Sequence, residues 1–272
     1  MKVSVCMITY KHENYIREAI ESILMQKTNF DFELIIANDH SPDRTDEVIR
    51  SIITSHPKGN CIRYFLHPSN LRIMPNFIFA LKECSGEYIA LCEGDDYWTD
   101  KNKLQKQIDF LDNNKDYSGC FHNVIMINEM IPNFKPQPWR VYEKNDFELK
   151  DTFSKTALFH TCSFVFRKEF LQIPDWFEKV LSGDRALFSL VASKGRLKRI
   201  EGEMGVYRKN ENGVTSILSL KNYHKKNIKL FRFFKTHFSN SYQNELDKMI
   251  NYHRYEYLKL YISKGLKFLK LK

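Results

Sequence analysis

The sequence predicts an α/β fold: a mostly parallel, doubly wound sheet with flanking helices, followed by a C-terminal helical segment. Three observations carry this. Short apolar runs of strand length alternate with helix-spaced segments through the first hundred residues, as in consecutive βαβ units. Tyr88 to Cys92 is apolar without alternation, as expected of a parallel strand covered on both faces. The last fifty residues, rich in Lys, Tyr, Phe and Leu, read as helix throughout.

Val3 to Thr9 is the first strand. Asn14 to Gln26 follows as a half-buried helix, with Ile16, Ala19, Ile20, Ile23 and Leu24 at helical spacing. Phe32 to Ala37 is the second strand and ends at Asn38-Asp39. Ser41 as N-cap and Pro42 at the first helical position predict a helix running to about Ser55. Ile62 to Leu66 is a third strand, Pro75 to Cys84 a helix, and Tyr88 to Cys92 a fourth strand. Lys103 to Leu111 reads as an amphipathic helix, Cys120 to Ile127 and Ser163 to Phe166 as strand pieces around a loop with Pro132, Pro136 and Pro138, and Asp184 to Ser193 as a helix. The chain thus divides into residues 1–98, 99–216 and 217–272.

A chain of 272 residues with 43% hydrophobic and 14% aromatic content is long enough and apolar enough for a sizeable core. No run of about 18 apolar residues predicts a transmembrane helix. The first apolar run is short and leads into the polar Lys11-His12-Glu13-Asn14, unlike a signal peptide. The six cysteines form no Cys-x-x-Cys pair, and Cys6 and Cys92 fall inside apolar strands, which predicts reduced thiols, a cytoplasmic setting and no zinc site. The net charge of +9 is local: Lys221 to Lys272 carries 13 Lys and Arg against 3 Asp and Glu, so the rest is balanced and no nucleic-acid partner is implied.

The fourth strand runs through Gly94 into Asp95 and Asp96, at the sheet edge where open α/β folds bind ligands. Two adjacent carboxylates are easier to hold beside a cation or ligand hydroxyls than alone, although a solvated Gly-Asp-Asp turn fits the local sequence as well. Asp39 and Asp184 should fall on the same rim. No G-x-G-x-x-G or G-x-x-x-x-G-K follows a strand, so a diphosphate would need a divalent metal or a basic side chain such as Arg72.

Together, the strand ending at Tyr10, the segment ELIIANDHSPDRT, the Asn70-Leu71-Arg72 step before ECSGEYIALCEGDDYW, and the later SGDRALFSLVASKG resemble a family 2 glycosyltransferase of the GT-A fold. The similarity spans about residues 1–216. The resemblance implies a Rossmann-like GT-A sheet and an inverting transfer from a nucleotide-diphosphate sugar, UDP- or dTDP-linked, to a glycan or lipid-linked glycan. It implies that Thr9, Tyr10 and Glu13 line the nucleotide pocket and that Asp39 receives a pyrimidine N–H. Asp95 would meet ribose or sugar hydroxyls, and Asp96 would hold Mn²⁺ or Mg²⁺ on the diphosphate. Asp184 corresponds to the general base, its alternative being a first-turn helix acid. Tyr97 and Trp98 would wall the sugar pocket, His160 and Thr161 would meet the acceptor, and Arg72 and Arg208 would reach phosphate. The chain departs from the family's pattern at Arg72, where Gly is common, at Gly183, where an acid often precedes the base, and at Asn210, where many members have His.

Leu258, Tyr261, Ile262, Leu266 and Leu269 recur at three- and four-residue steps beside lysines. Two readings fit this stripe: contact with an anionic membrane surface by a peripheral protein, or a helix pair packed on the main domain. The competing functions are a sugar-phosphate nucleotidyltransferase, which would usually show a Gly-rich basic loop after the first strand, and a non-catalytic membrane-binding adaptor on the same fold.

Overall fold

The computed structural model describes residues 1–211, 213 and 218–269, with the helical backbone alone over 261–269. Strands β1 (Val3–Thr9), β2 (Phe32–Asn38), β3 (Ile62–Leu66) and β4 (Tyr88–Leu91) are joined by helices α1 (Ile16–Leu24), α2 (Thr45–Ser55) and α3 (Ile73–Glu83). They lie in the order β3-β2-β1-β4, each pair parallel. β5 (Tyr97–Trp98) and α4 (Lys103–Asn113) lead to the long β6 (Tyr117–Asn128), then β7 (Gln137–Pro138), β8 (Asp146–Phe147) and α5 (Leu149–Thr152). β9 (Val165–Arg167), α6 (Gly183–Ala192) and β10 (Arg196–Lys209) complete the sheet, and α7 (Leu220–His237) and α8 (Gln243–Leu269) close the chain.

The second half of the sheet is mixed. β9 runs antiparallel between β4 and β6, β10 is parallel to β6, and β5 is antiparallel to β10. The expected mostly parallel α/β sheet with flanking helices and a helical C-terminal segment is the architecture found.

Because β2 is buried along its whole length, its side chains feed two cores in turn. Leu34 and Ile36 join Val3, Val5 and Ile20 on one face, whereas Ile35 and Ala37 join Leu81, Phe166 and Phe188 on the other. This is the two-sided burial that uninterrupted apolar strands demand. α7 and α8 press Leu230, Phe231, Phe234, Leu246 and Ile250 into the second core. The start of the C-terminal segment therefore packs on the sheet domain. Leu258 is exposed, and the stripe residues Tyr261, Ile262, Leu266 and Leu269 lie outside the described side chains. Among the described residues no helix is long and apolar enough to cross a membrane.

α2 begins at Thr45, later than the expected start at Pro42. The Ser41 hydroxyl donates to Asn38 Oδ1 at 2.7 Å instead of capping a helix, while Asp43 Oδ1 accepts from the Thr45 N–H and hydroxyl. The six cysteines are free and five are buried, in keeping with reduced thiols.

The first core also holds an ammonium. Lys103 is 0% exposed, and its Nζ lies 3.9 Å over the Trp98 ring with no hydrogen-bond partner among the described residues. Burial pushes its pKa down to about 8. One helical turn on, Gln107 Oε1 is likewise unpartnered, as is the nearby His122 Nε2.

Candidate active site

The C-terminal ends of β1, β2 and β4 open onto a cavity of about 440 Å³, at the point where neighbouring strands leave β1 in opposite directions. Thr9 and Tyr10 line it after β1, Asp39 after β2, and Asp95 and Asp96 after β4. Arg72, His160, Thr161, Asp184 and Arg208 complete the expected residues that reach it.

On the β2 side, Asn38 Oδ1 accepts the Ser41 N–H and hydroxyl, turning the chain through a left-handed His40. This aims the buried Asp39, whose Oδ1 accepts the Leu71 N–H at 2.6 Å while its own N–H donates to Thr9 O. Asp39 thereby ties the ends of β1 and β2 to the loop that precedes α3.

Arg72 sits in that loop at φ 73° and ψ 163°, a conformation that favours glycine. Glycine would adopt this conformation without strain, and this chain keeps an arginine there. Its exposed guanidinium has no ion pair among the described residues. Arg72→Gly should raise stability by about 1 kcal/mol through relief of strain, read as a higher Tm. A lower Tm would remove the strain account.

Gly94 makes the β4 turn possible by leaving room. A Cβ there would lie 2.7 Å from Thr9 Oγ1 and 2.9 Å from His12 Nδ1. His12 Nδ1 lies 3.1 Å from the Thr9 hydroxyl, and its Nε2 lies 3.8 Å from Asp95 Oδ2. Asp95 Oδ2 also accepts from Asn210 Nδ2 at 2.9 Å. Asn210 thus braces the turn. Asp96 is 2% exposed; its Oδ1 accepts the Arg208 N–H at 3.0 Å, and its Oδ2 lies 3.5 Å from His160 Nδ1.

Burial, then the charges of Asp95 and Glu93, pushes the Asp96 carboxyl up. Burial, then Asp95 and Asp184, pushes the cavity-lining Glu93 up to about 8, against the Thr161 hydroxyl that donates to it. The turn concentrates negative charge that a cation would relieve. Asp96, His160 and Cys162 offer ligand atoms within 4.8 Å of one another. Burial pulls His160 down to about 4, so its imidazole is neutral and able to ligate, whereas burial holds the Cys162 thiol protonated. Asp96 and His160 therefore fit a divalent ion that accepts oxygen and nitrogen.

Asp184 lies in the first turn of α6, where it receives the Arg185 N–H, and it lines the cavity as well. The two readings of this acid are compatible. Burial raises its pKa. Gly183 packs under Met74: a Cβ there would lie 2.7 Å from Met74 Sδ and 2.8 Å from Met74 Cε, so a larger residue would displace the end of that side chain.

Four expectations need correction. Glu13 turns away from the cavity, and its carboxylate accepts the Arg44 N–H at 2.9 Å, bracing two loops. Trp98 is 1% exposed and lies in the core, its Nε1 donating to Cys162 O at 2.8 Å. Tyr97 lies outside the cavity lining, beneath the Arg208 guanidinium at 5.2 Å. Arg208 touches the cavity, but its guanidinium bonds to Asp95 O, Glu129 and Glu18, so it anchors the aspartate turn and is not free to meet phosphate. Residues that the sequence did not single out also line the site, notably His12, Glu93, Tyr207 and Tyr223. Glu93 carried a signal, since it lies two residues before Asp95 at the same strand end.

A family model described as Glycosyl transferase family 2 matches residues 4–173. A Mycobacterium tuberculosis (strain H37Rv) protein is 36% identical over 217 residues, which cover 78% of this chain and 60% of the relative. An uncharacterized glycosyltransferase of Methanocaldococcus jannaschii is 32% identical over 154 residues, covering 55% of this chain and 51% of its own. The chain spans about 60% of the length of the first of these relatives. Among solved structures, Staphylococcus aureus TarS 1-349 in complex with UDP-GlcNAc superposes with a TM-score of 0.70 at 17% identity, covering 95% of this chain and 73% of that one. Mannosyltransferase PcManGT from Pyrobaculum calidifontis, in complex with GDP-Man and Mn²⁺, gives 0.67 at 14% identity, covering 94% and 72%. These two likenesses show the shared fold.

Proposed function

The chain belongs to glycosyl transferase family 2, and from that premise we propose that it moves a sugar from a nucleoside-diphosphate donor to a hydroxyl of a glycan or lipid-linked glycan, with inversion. One observation carries this reading: Asp39, the Asp95-Asp96 pair and Asp184, from three separate stretches of the sequence, meet on one cavity at the ligand-binding edge of the sheet.

In this reading Asp39 uses its second carboxylate oxygen for a base N–H, which favours a uracil or thymine donor. Asp95, held by Asn210 and His12, meets donor hydroxyls. Asp96 and His160 would hold a divalent metal, Mn²⁺ fitting the mixed oxygen and nitrogen donors better than Mg²⁺. Such an ion supplies charge stabilisation for the departing diphosphate. Arg72 adds a cation at the mouth. Asp184 takes the proton from the acceptor hydroxyl as that oxygen attacks the anomeric carbon on the face opposite the diphosphate.

Titration with UDP in the presence of Mn²⁺ should give micromolar to millimolar binding that falls at least about tenfold after chelation. Binding that chelation leaves unchanged would sink the role given to Asp96 and His160. The same assay with dTDP and GDP sets the base preference, and slow hydrolysis of a panel of nucleotide sugars names the sugar without needing an acceptor.

A further inference from the structure

On the Asp184 side of the cavity, cations are held in place without carboxylates. The Arg140 guanidinium lies over the Trp139 ring at 5.4 Å and donates to the Thr156 hydroxyl. Lys155, the neighbour of Thr156, places Nζ 4.6 Å over the Tyr252 ring. The Lys155 carbonyl accepts from the hydroxyl of Tyr223, a cavity-lining residue. Neither Arg140 nor Lys155 has an ion pair among the described residues. By contrast Arg44, Arg50, Arg63 and Arg196 each pair with a carboxylate.

A guanidinium fixed by a ring and a hydroxyl keeps its whole charge for a ligand and loses little freedom on meeting one. Its location is beside the chemistry. Arg185, next to Asp184, donates to Ser154 O, the residue before Lys155, and the charge of Arg140 is felt at Arg185. Trp139 meets the cavity-lining His160 at 5.9 Å. Arg140 and Lys155 thus stand just outside the lining, one contact away from the cavity residues His160 and Tyr223.

We propose that Arg140 and Lys155 form an anion site for the acceptor, which is therefore a glycan bearing a phosphate close to the hydroxyl that receives the sugar. A planar guanidinium fork beside a lysine suits a phosphate's several oxygens. This rests on the glycosyl-transfer reading. The phosphate can belong to a soluble phosphorylated glycan or to the diphosphate of a lipid-linked one.

The test uses the full chain saturated with UDP and Mn²⁺, so that the donor pocket is closed to other phosphates. Calorimetry at low salt should show glucose 1-phosphate binding about tenfold tighter than methyl glucoside. In the R140Q/K155Q double variant that preference should vanish, while UDP affinity, which reports an intact fold and donor site, stays the same. Equal binding of the charged and neutral probes to the native chain overturns the proposal, as does a preference that survives in the double variant. Failure of UDP to bind the native chain would instead count against the transferase reading. An isoprenyl diphosphoryl glucose in detergent identifies the source: tighter binding than glucose 1-phosphate, lost in the double variant, assigns the phosphate to a lipid carrier. Equal binding of the two, again lost in the double variant, assigns it to a soluble glycan.

Discussion

Asp184→Asn should lower kcat by about 10²- to 10⁴-fold while leaving UDP affinity unchanged. Asparagine keeps the shape and still accepts the Arg185 N–H at the start of α6, so the helix and the Met74 contact beneath Gly183 survive. What it loses is the ability to take a proton. Because burial raises the Asp184 pKa, the native enzyme should lose kcat at acid pH, with the acid limb above the ordinary aspartate range. The sign follows from the role: a base works only when deprotonated, so activity climbs as pH passes upward through the raised value. The variant's residual rate should lack that limb. Near-normal turnover in Asp184→Asn would disqualify it as the base and leave it a helix-terminus acid.

Lys103→Met should stabilise the protein by about 2–3 kcal/mol at neutral pH, raising Tm by roughly 4–5 °C. The unfolded chain holds the ammonium at 10.5, whereas the folded state holds it at about 8. Below pH 8 both states are protonated, and the folded state bears the full cost of burying the charge over Trp98. Between pH 8 and 10.5 the native protein sheds a proton that the unfolded chain keeps, so stability from this group rises with pH. The gain from Lys103→Met should therefore shrink as the melt is repeated from pH 7 to pH 10. A gain independent of pH, or a loss at pH 7, would show that Lys103 is not carrying an unrelieved charge.

The parallel half of the sheet was legible because β1, β2 and β4 are buried on both faces, and two-sided burial leaves mostly apolar runs too short for a helix. Asp39, Asp95 and Asp96 were legible for the same reason, since they stand where such runs stop, whereas Asp184 opens α6. β10 was not: it mixes Glu201, Glu203 and Arg208 with Met204 and Val206, and register shifts break its pairing with β6 near Glu203. Trp98 was misread because an aromatic beside two aspartates looks like a sugar platform, yet its strand pairs with β10 and turns the ring inward over Lys103. The α2 start was misplaced because Asn38 claimed the Ser41 hydroxyl. Sequence cannot reveal which of two short-range partners a hydroxyl will choose. The proximity of His160 to Asp96 and the ring-held Arg140 depend on contacts between distant segments, which spacing along the chain does not encode.

β6 and β10 pair in parallel, although the whole stretch from Glu129 to Gly195 lies between them. Closing a longer or shorter excursion over a fixed strand pair costs little, because loop entropy grows slowly with length. The Trp139 to Thr161 segments that flank the mouth belong to this excursion, whereas Thr9, Asp39 and the aspartate turn are fixed by strand register. His160 and Asp184 also stand on this excursion, so length can vary cheaply only in the stretches between them and the strands. On the proposed function, insertions and deletions there would alter what meets the mouth of the cavity and leave the register-fixed Thr9, Asp39 and aspartate turn in place.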